Sequence, residues 1–164
     1  GESMHEFMSS KRFSELLSLD SLDHSVDQLS GFCLRLINKG LYGSEEKKIS
    51  LAVIVWNLEK IGDEYRVLCF NLHDNRKEIN KEILGMFQEI NNFFKLYYEF
   101  FYNFSAEKLN GLIETRENLN KKMFRIKPAT EYETAFLNKM SSIFSKTVDM
   151  TSSIVAMNYE KIGK

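Results

Sequence analysis

Proline is nearly absent from this chain: Pro128 is the one example in 164 residues. Proline removes a backbone donor and clashes with the preceding helical turn, so its scarcity leaves room for long uninterrupted helices. Long apolar runs are missing too. No stretch reaches the roughly 18 residues needed to cross a bilayer and no secretory leader is visible, so the sequence reads as cytoplasmic and not integral to a membrane. Charge of one sign is not in excess. Lys and Arg number 22 against 23 Asp and Glu, and the net charge of −1 provides no basic field for nucleic acid. Cysteine is limited to Cys33 and Cys69. Both sit in apolar helical patterns, which points to free thiols in a reducing compartment and excludes a zinc-type cysteine pairing. A phosphate-cradling glycine loop and a nucleophile elbow are also lacking, so no enzyme is expected.

What is present reads as helix throughout. Residues 4–18 carry Phe7, Phe13, Leu16 and Leu17 on a broken helical pattern, a short or truncated first helix. Over 19–43, Leu22, Val26, Leu29, Phe32, Cys33, Leu36 and Ile37 share one broad arc, and Gly40 and Gly43 supply a C-terminal stop. Ser44, followed by Glu45 and Glu46, is a candidate N-cap for a helix over 45–74. Its ISLAVIVW half, apolar all round, predicts a central buried helix with Trp56 inside, and Leu58, Ile61, Tyr65, Leu68 and Leu72 continue the core stripe. A third helix spans 77–104. Ser105 opens a fourth, the linker containing Pro128 follows, and residues 130–164 form the last, with a candidate interruption at Thr151-Ser152-Ser153. The fold class is all-α, an antiparallel helical bundle.

The third helix ends in NNFFKLYYEFFYNF. Its aromatic residues span about 200° of the helical wheel, wider than one core-facing stripe needs. The excess is either covered by a neighbouring helix or forms a homodimer interface through Phe93, Phe94, Tyr97, Tyr98, Phe101 and Tyr102.

One stretch occurs twice. NLEKIGDEY at 57–65 returns as NYEKIGK at 158–164, aligning Asn57 with Asn158, Glu59 with Glu160 and Lys60 with Lys161. The upstream pair Val53-Ile54 aligns with Ile154-Val155. Self-similarity at a spacing of about a hundred residues implies two related halves, 4–75 and 76–164, in one compact unit.

Glu59 and Asp63 are four apart, so their carboxylates project from one helix face, and Asp23 and Asp27 repeat that spacing on the preceding helix. Were these helices antiparallel neighbours, the four acids would come within reach of one oxygen-liganded cation, which relieves their mutual repulsion. The plainer reading is a solvated acidic face. A buried di-iron centre is not expected: Glu59 lies opposite the core stripe of its own half-helix and is not followed by a histidine three residues on.

IVWNLEKIGDEY resembles the signature of the PhoU family of phosphate-uptake regulators, where a Leu-Glu-Arg-Ile-Gly/Ala-Asp core ends each three-helix repeat. LDHSVDQL looks like the acidic start of the preceding helix in that family. The order of segments is similar to PhoU domains that follow an AbrB-like DNA-binding domain. The resemblance is specific at 53–65 and loose elsewhere. It implies two three-helix repeats, a cytoplasmic and often dimeric protein, and negative regulation beside a phosphate transporter and its signalling proteins. It also implies iron or zinc held on the bundle surface by Glu59 and Asp63, and by Glu160 in the second repeat. Lys164 stands where that second repeat would carry Asp. The alternative without the family is a metal-free structural module for helical dimerisation or interaction.

Overall fold

Each helix after residue 79 starts where a polar side chain takes up backbone N–H groups that have no partner within the helix. Asn80 Oδ1 accepts from the Glu82 N–H, Ser105 Oγ from Lys108 and Thr130 Oγ1 from Glu133, at 2.9, 3.1 and 3.1 Å. In this computed structural model the described residues are 13–42, 44–75 and 79–161, with side chains described over 21–42, 44–70 and 79–161. They form α1 (Phe13–Asn38), a 3-10 turn (Glu45–Lys47), α2 (Lys48–Asn75), α3 (Lys81–Tyr102), α4 (Ala106–Met123), α5 (Glu131–Met157) and a closing 3-10 turn (Tyr159–Lys161). No strand occurs among the described residues. The all-α expectation holds, and among the described residues no helix is long and apolar enough to cross a membrane.

Several boundaries differ from the sequence reading. The expected break between a helix at 4–18 and another from 19 is absent, since α1 runs continuously from Phe13; residues 4–12 lie outside the described residues. The helix stops at Gly40, whose φ of +69° suits glycine. Gly40 N–H bonds to Ile37 O and Leu41 N–H to Leu36 O, the paired return bonds of a glycine-terminated helix. Ser44 does not cap with its side chain; only its carbonyl accepts, from Lys47. Helix α5 passes through 151–153 without interruption. Thr151 bonds back to the Val148 carbonyl and also meets the Tyr97 hydroxyl on α3.

Helix α2 packs most extensively on α5, α1 lies on α2, and α3 lies against both α4 and α5. Phe87 meets Phe136, Phe93 meets Phe144 and Tyr97 meets Thr151, so α3 and α5 run parallel. Asp23 meets Arg66 while Val26 meets Gly62, so α1 and α2 run antiparallel. A Cβ on Gly62 would meet Val26 Cγ1 at 3.4 Å, so the two helices approach closely at this crossing. The core is built from α2, α3, α4 and α5, with Leu68, Ile83, Ile90, Phe93, Phe100, Met140, Ile143 and Ile154 fully buried.

The broad apolar arc expected to bury α1 does not do so. Ile37 is buried, whereas Leu22, Leu29 and Phe32 stay exposed, because α2 covers a single flank of α1. Helix α2 is likewise not buried all round. Ile49, Val53, Trp56 and Leu58 are exposed, since α1 and α5 leave open sectors between them.

The aromatic run divides in the same manner. Of the proposed interface residues, Phe93 and Tyr97 are core, and Phe94 and Phe101 pack at its margin. Only Tyr98 and Tyr102 of that set stand exposed, their rings 4.9 Å apart. Contacts with α4 and α5, together with the reach of Tyr65 to Phe87 and Asn91, consume most of the wide arc.

Glu133 ties two helix starts together. Its carboxylate accepts from Ala129 N–H at 2.7 Å and, across the fold, from Asn80 N–H at 2.9 Å. These backbone donors hold its carboxyl below the usual range. Glu133→Ala is expected to lower the melting temperature by about 2–4 °C by freeing both N–H groups, measured by circular dichroism. An unchanged melting temperature would remove the role assigned to this bridge.

Candidate metal centre

The antiparallel α1–α2 pair puts Asp27 opposite Glu59 and Asp63. One carboxylate oxygen from each lies within 4.8 Å of the other two. Asp27 is exposed and the two α2 acids are half-buried. The expected grouping of four is thus a group of three. Asp23 leaves it because Arg66, one turn beyond Gly62, takes its carboxylate at 3.3 Å.

Glu160 does not belong either. Helix α5 ends at Met157, and Glu160 sits exposed in the following 3-10 turn, whereas Glu59 lies in mid-helix. Ile162, Gly163 and Lys164 lie outside the described residues. The two copies do share one local feature. Asn57 Nδ2 donates to the carbonyl of Val53 and Asn158 Nδ2 to that of Ile154, the aligned pairs, at 3.1 and 2.9 Å. Their burial differs, with Val53 exposed and Ile154 in the core.

Lys60 is the residue that the acid spacing did not bring forward. Its Nζ lies 3.0 Å from Glu59 Oε1 and 2.9 Å from Asp63 Oδ2, and 5.2 Å from the centre of the Trp56 ring. Hydrogen bonding to Asp63, then to Glu59, raises its pKa further above the ordinary lysine value. A Lys three residues before an Asp on a helix is a recognisable pairing signal, so the arrangement was readable. The other Glu59 oxygen, Oε2, is buried and has no hydrogen-bond partner among the described residues, an unusual state for a carboxylate oxygen.

Three carboxylates with no imidazole or thiolate among them are the donor set of a hard cation, which completes its shell with water. They fit such an ion, and the orphaned Glu59 oxygen is a ready ligand. Lys60 competes, because its ammonium already pairs with two of the three acids. Elsewhere, a shallow cleft between α3 and α4 is lined by Glu82, Gly85, Met86, Glu89, Lys122, Arg125 and Ile126, with Lys122 paired to Glu89 at 2.7 Å. It lies on helices other than those that carry the acidic group. Cys33 and Cys69 are free, and burial pushes the Cys69 thiol up to about 11, which keeps it unreactive.

No protein-family profile, curated protein or solved structure matches the chain.

Proposed function

We propose that this chain is a PhoU-like regulatory domain, non-enzymatic and cytoplasmic. It acts by protein contact on a phosphate transporter or its signalling proteins, with a surface cation site at Asp27, Glu59 and Asp63. The observation that carries the reading is the meeting of these three acids outside the core, two of them from the motif that resembles the family signature. The two-repeat arrangement belongs to the same proposal. It is supported by the central pairing of α2 with α5, the helices that carry or lead into the two motif copies, and by the matched Asn57 and Asn158 bonds.

The test has two arms. Protein purified without chelator or affinity metal is expected to retain iron, zinc or another divalent cation by elemental analysis. Glu59→Gln with Asp63→Asn is expected to cut the bound amount about tenfold or more, while Asp23→Asn and Glu160→Gln leave it unchanged. Lys60→Gln should tighten binding by removing the competing charge. Deleting the gene should raise phosphate uptake under phosphate excess, and unchanged uptake would overturn the regulatory reading.

A metal-free interaction module is the second reading, favoured by the ion pairs that Lys60 makes with both α2 acids. Absence of metal from the parent protein decides for it. Homodimerisation now rests on Tyr98 and Tyr102, and on the uncovered apolar residues of α1.

A further inference from the structure

Ile49, Val53 and Trp56 follow one another at helical spacing along α2, and Lys60 and Asp63 continue the same face. The three apolar side chains are 79%, 39% and 57% exposed. From these fractions they present roughly 400 Å² of surface, the size of a functional patch yet about half of one side of a standard protein–protein interface. The patch is therefore short for a self-sufficient dimer contact and suited to a single helical segment. It also leads directly into the group of Asp27, Glu59 and Asp63, two of which hold the Lys60 ammonium.

Lys60 displays the chemistry that this end of the stripe accepts. Its ammonium sits between two carboxylates and near the face of an exposed indole. That combination of aromatic ring and acids recognises a cationic side chain, and guanidinium, with its planar fork of donors, satisfies it better than lysine. The local excess of two negative charges (three carboxylates less one ammonium) leaves the surface complementary to a further cation.

From this juxtaposition we infer that the Ile49–Val53–Trp56 stripe and the adjoining acidic group form a docking surface for a basic amphipathic helix of a partner protein. Its apolar side lies on the stripe, and an arginine enters among Asp27, Glu59 and Asp63, displacing Lys60. The inference rests on the reading that this domain acts through protein contacts; it does not require a bound metal.

Trp56 is the only tryptophan in the chain, so its emission reports on this surface alone. The probe is a synthetic amphipathic peptide of about 18 residues, long enough to form helix on a surface, with a leucine stripe flanked by arginines. Titration is expected to shift Trp56 emission to shorter wavelength with saturation. Asp27→Asn or Asp63→Asn should weaken the affinity about tenfold, and a peptide with glutamate for arginine should not bind. Circular dichroism checks that each variant is folded, while the charge-reversed peptide needs no variant at all. No emission change with the arginine peptide, or equal binding of its glutamate counterpart, overturns the inference. A concentration-dependent shift without peptide assigns the face to a second copy of the chain and overturns it too. Metal retained without peptide binding sinks this inference and spares the cation site; peptide binding without metal does the reverse.

Discussion

Phe93→Ala is expected to cost about 3–5 kcal/mol of folding stability, read as a fall in the urea midpoint with an unchanged slope. The magnitude follows from where the ring lies. Phe93 is 1% exposed, with the Tyr97 ring 5.1 Å away and the Phe144 ring 5.2 Å away on the parallel helix α5. Truncation removes the transfer free energy of the ring and leaves a cavity between α3 and α5. Both helices are fixed by further contacts on either side, so they cannot close it fully. Total stability of a domain this size is about 5–15 kcal/mol, so the loss is a large share. Tyr98→Ala, five residues on, should move stability by no more than about 0.5 kcal/mol, because that ring is 66% exposed. If the aromatic run were a subunit interface throughout, the order would invert: Phe93→Ala would be mild in dilute protein and would act through association. A loss below about 1 kcal/mol for Phe93→Ala would discard the core assignment.

The same contrast explains what could be read from residues alone. Helix extents were legible where a start or stop has strong local chemistry: Ser105 as a cap, Gly40 as the terminator. Asn80 is such a cap too, but the expected start at 77 passes over it and the helix begins at Lys81. Burial was less legible. Amphipathic spacing identifies an apolar face, not whether a neighbour covers it, which is why it points to the core for Leu22, Leu29, Phe32 and Trp56 although they lie exposed. The acidic group was legible as far as Asp27, Glu59 and Asp63. Asp23 has the same spacing and similar surroundings in sequence; what separates it is Arg66 on the facing helix, a tertiary fact. The repeat was visible as letters, but the second copy falls where α5 ends, so its glutamate loses the helical setting of the first. Glu133 is a mixed case. Thr130 with Glu133 is a capping-box pattern, yet the bond to Asn80 depends on the fold bringing two helix starts together.

Acid is expected to weaken the protein through Glu64, the neighbour of Asp63 that faces inward. Lys139 Nζ and Lys146 Nζ each lie 2.9 Å from its carboxylate, and Ser142 Oγ donates at 2.8 Å, all from α5. Partial burial alone would raise its pKa, but the hydrogen bonds from Lys139, Lys146 and Ser142 outweigh that and lower it from 4.5 to about 2. A carboxylate with a depressed folded pKa adds stability above its unfolded pKa and loses it as pH falls through the folded value. The contribution of Glu64 is therefore intact above about pH 5, declines through the window below it, and is gone once pH drops under about 2. Glu64→Gln should cost about 1–3 kcal/mol near neutrality, since it removes charge-assisted bonds and leaves two ammonium groups facing each other. The gap between parent and variant, followed by urea midpoints from pH 7 to pH 2, should then narrow toward zero. A gap that stays constant across that range would mean that packing, not charge, holds this contact. Adjacent carboxylates thus divide the work: Asp63 belongs to the outer acidic surface, while Glu64 anchors the same helix to α5 and keeps that surface in register with the core.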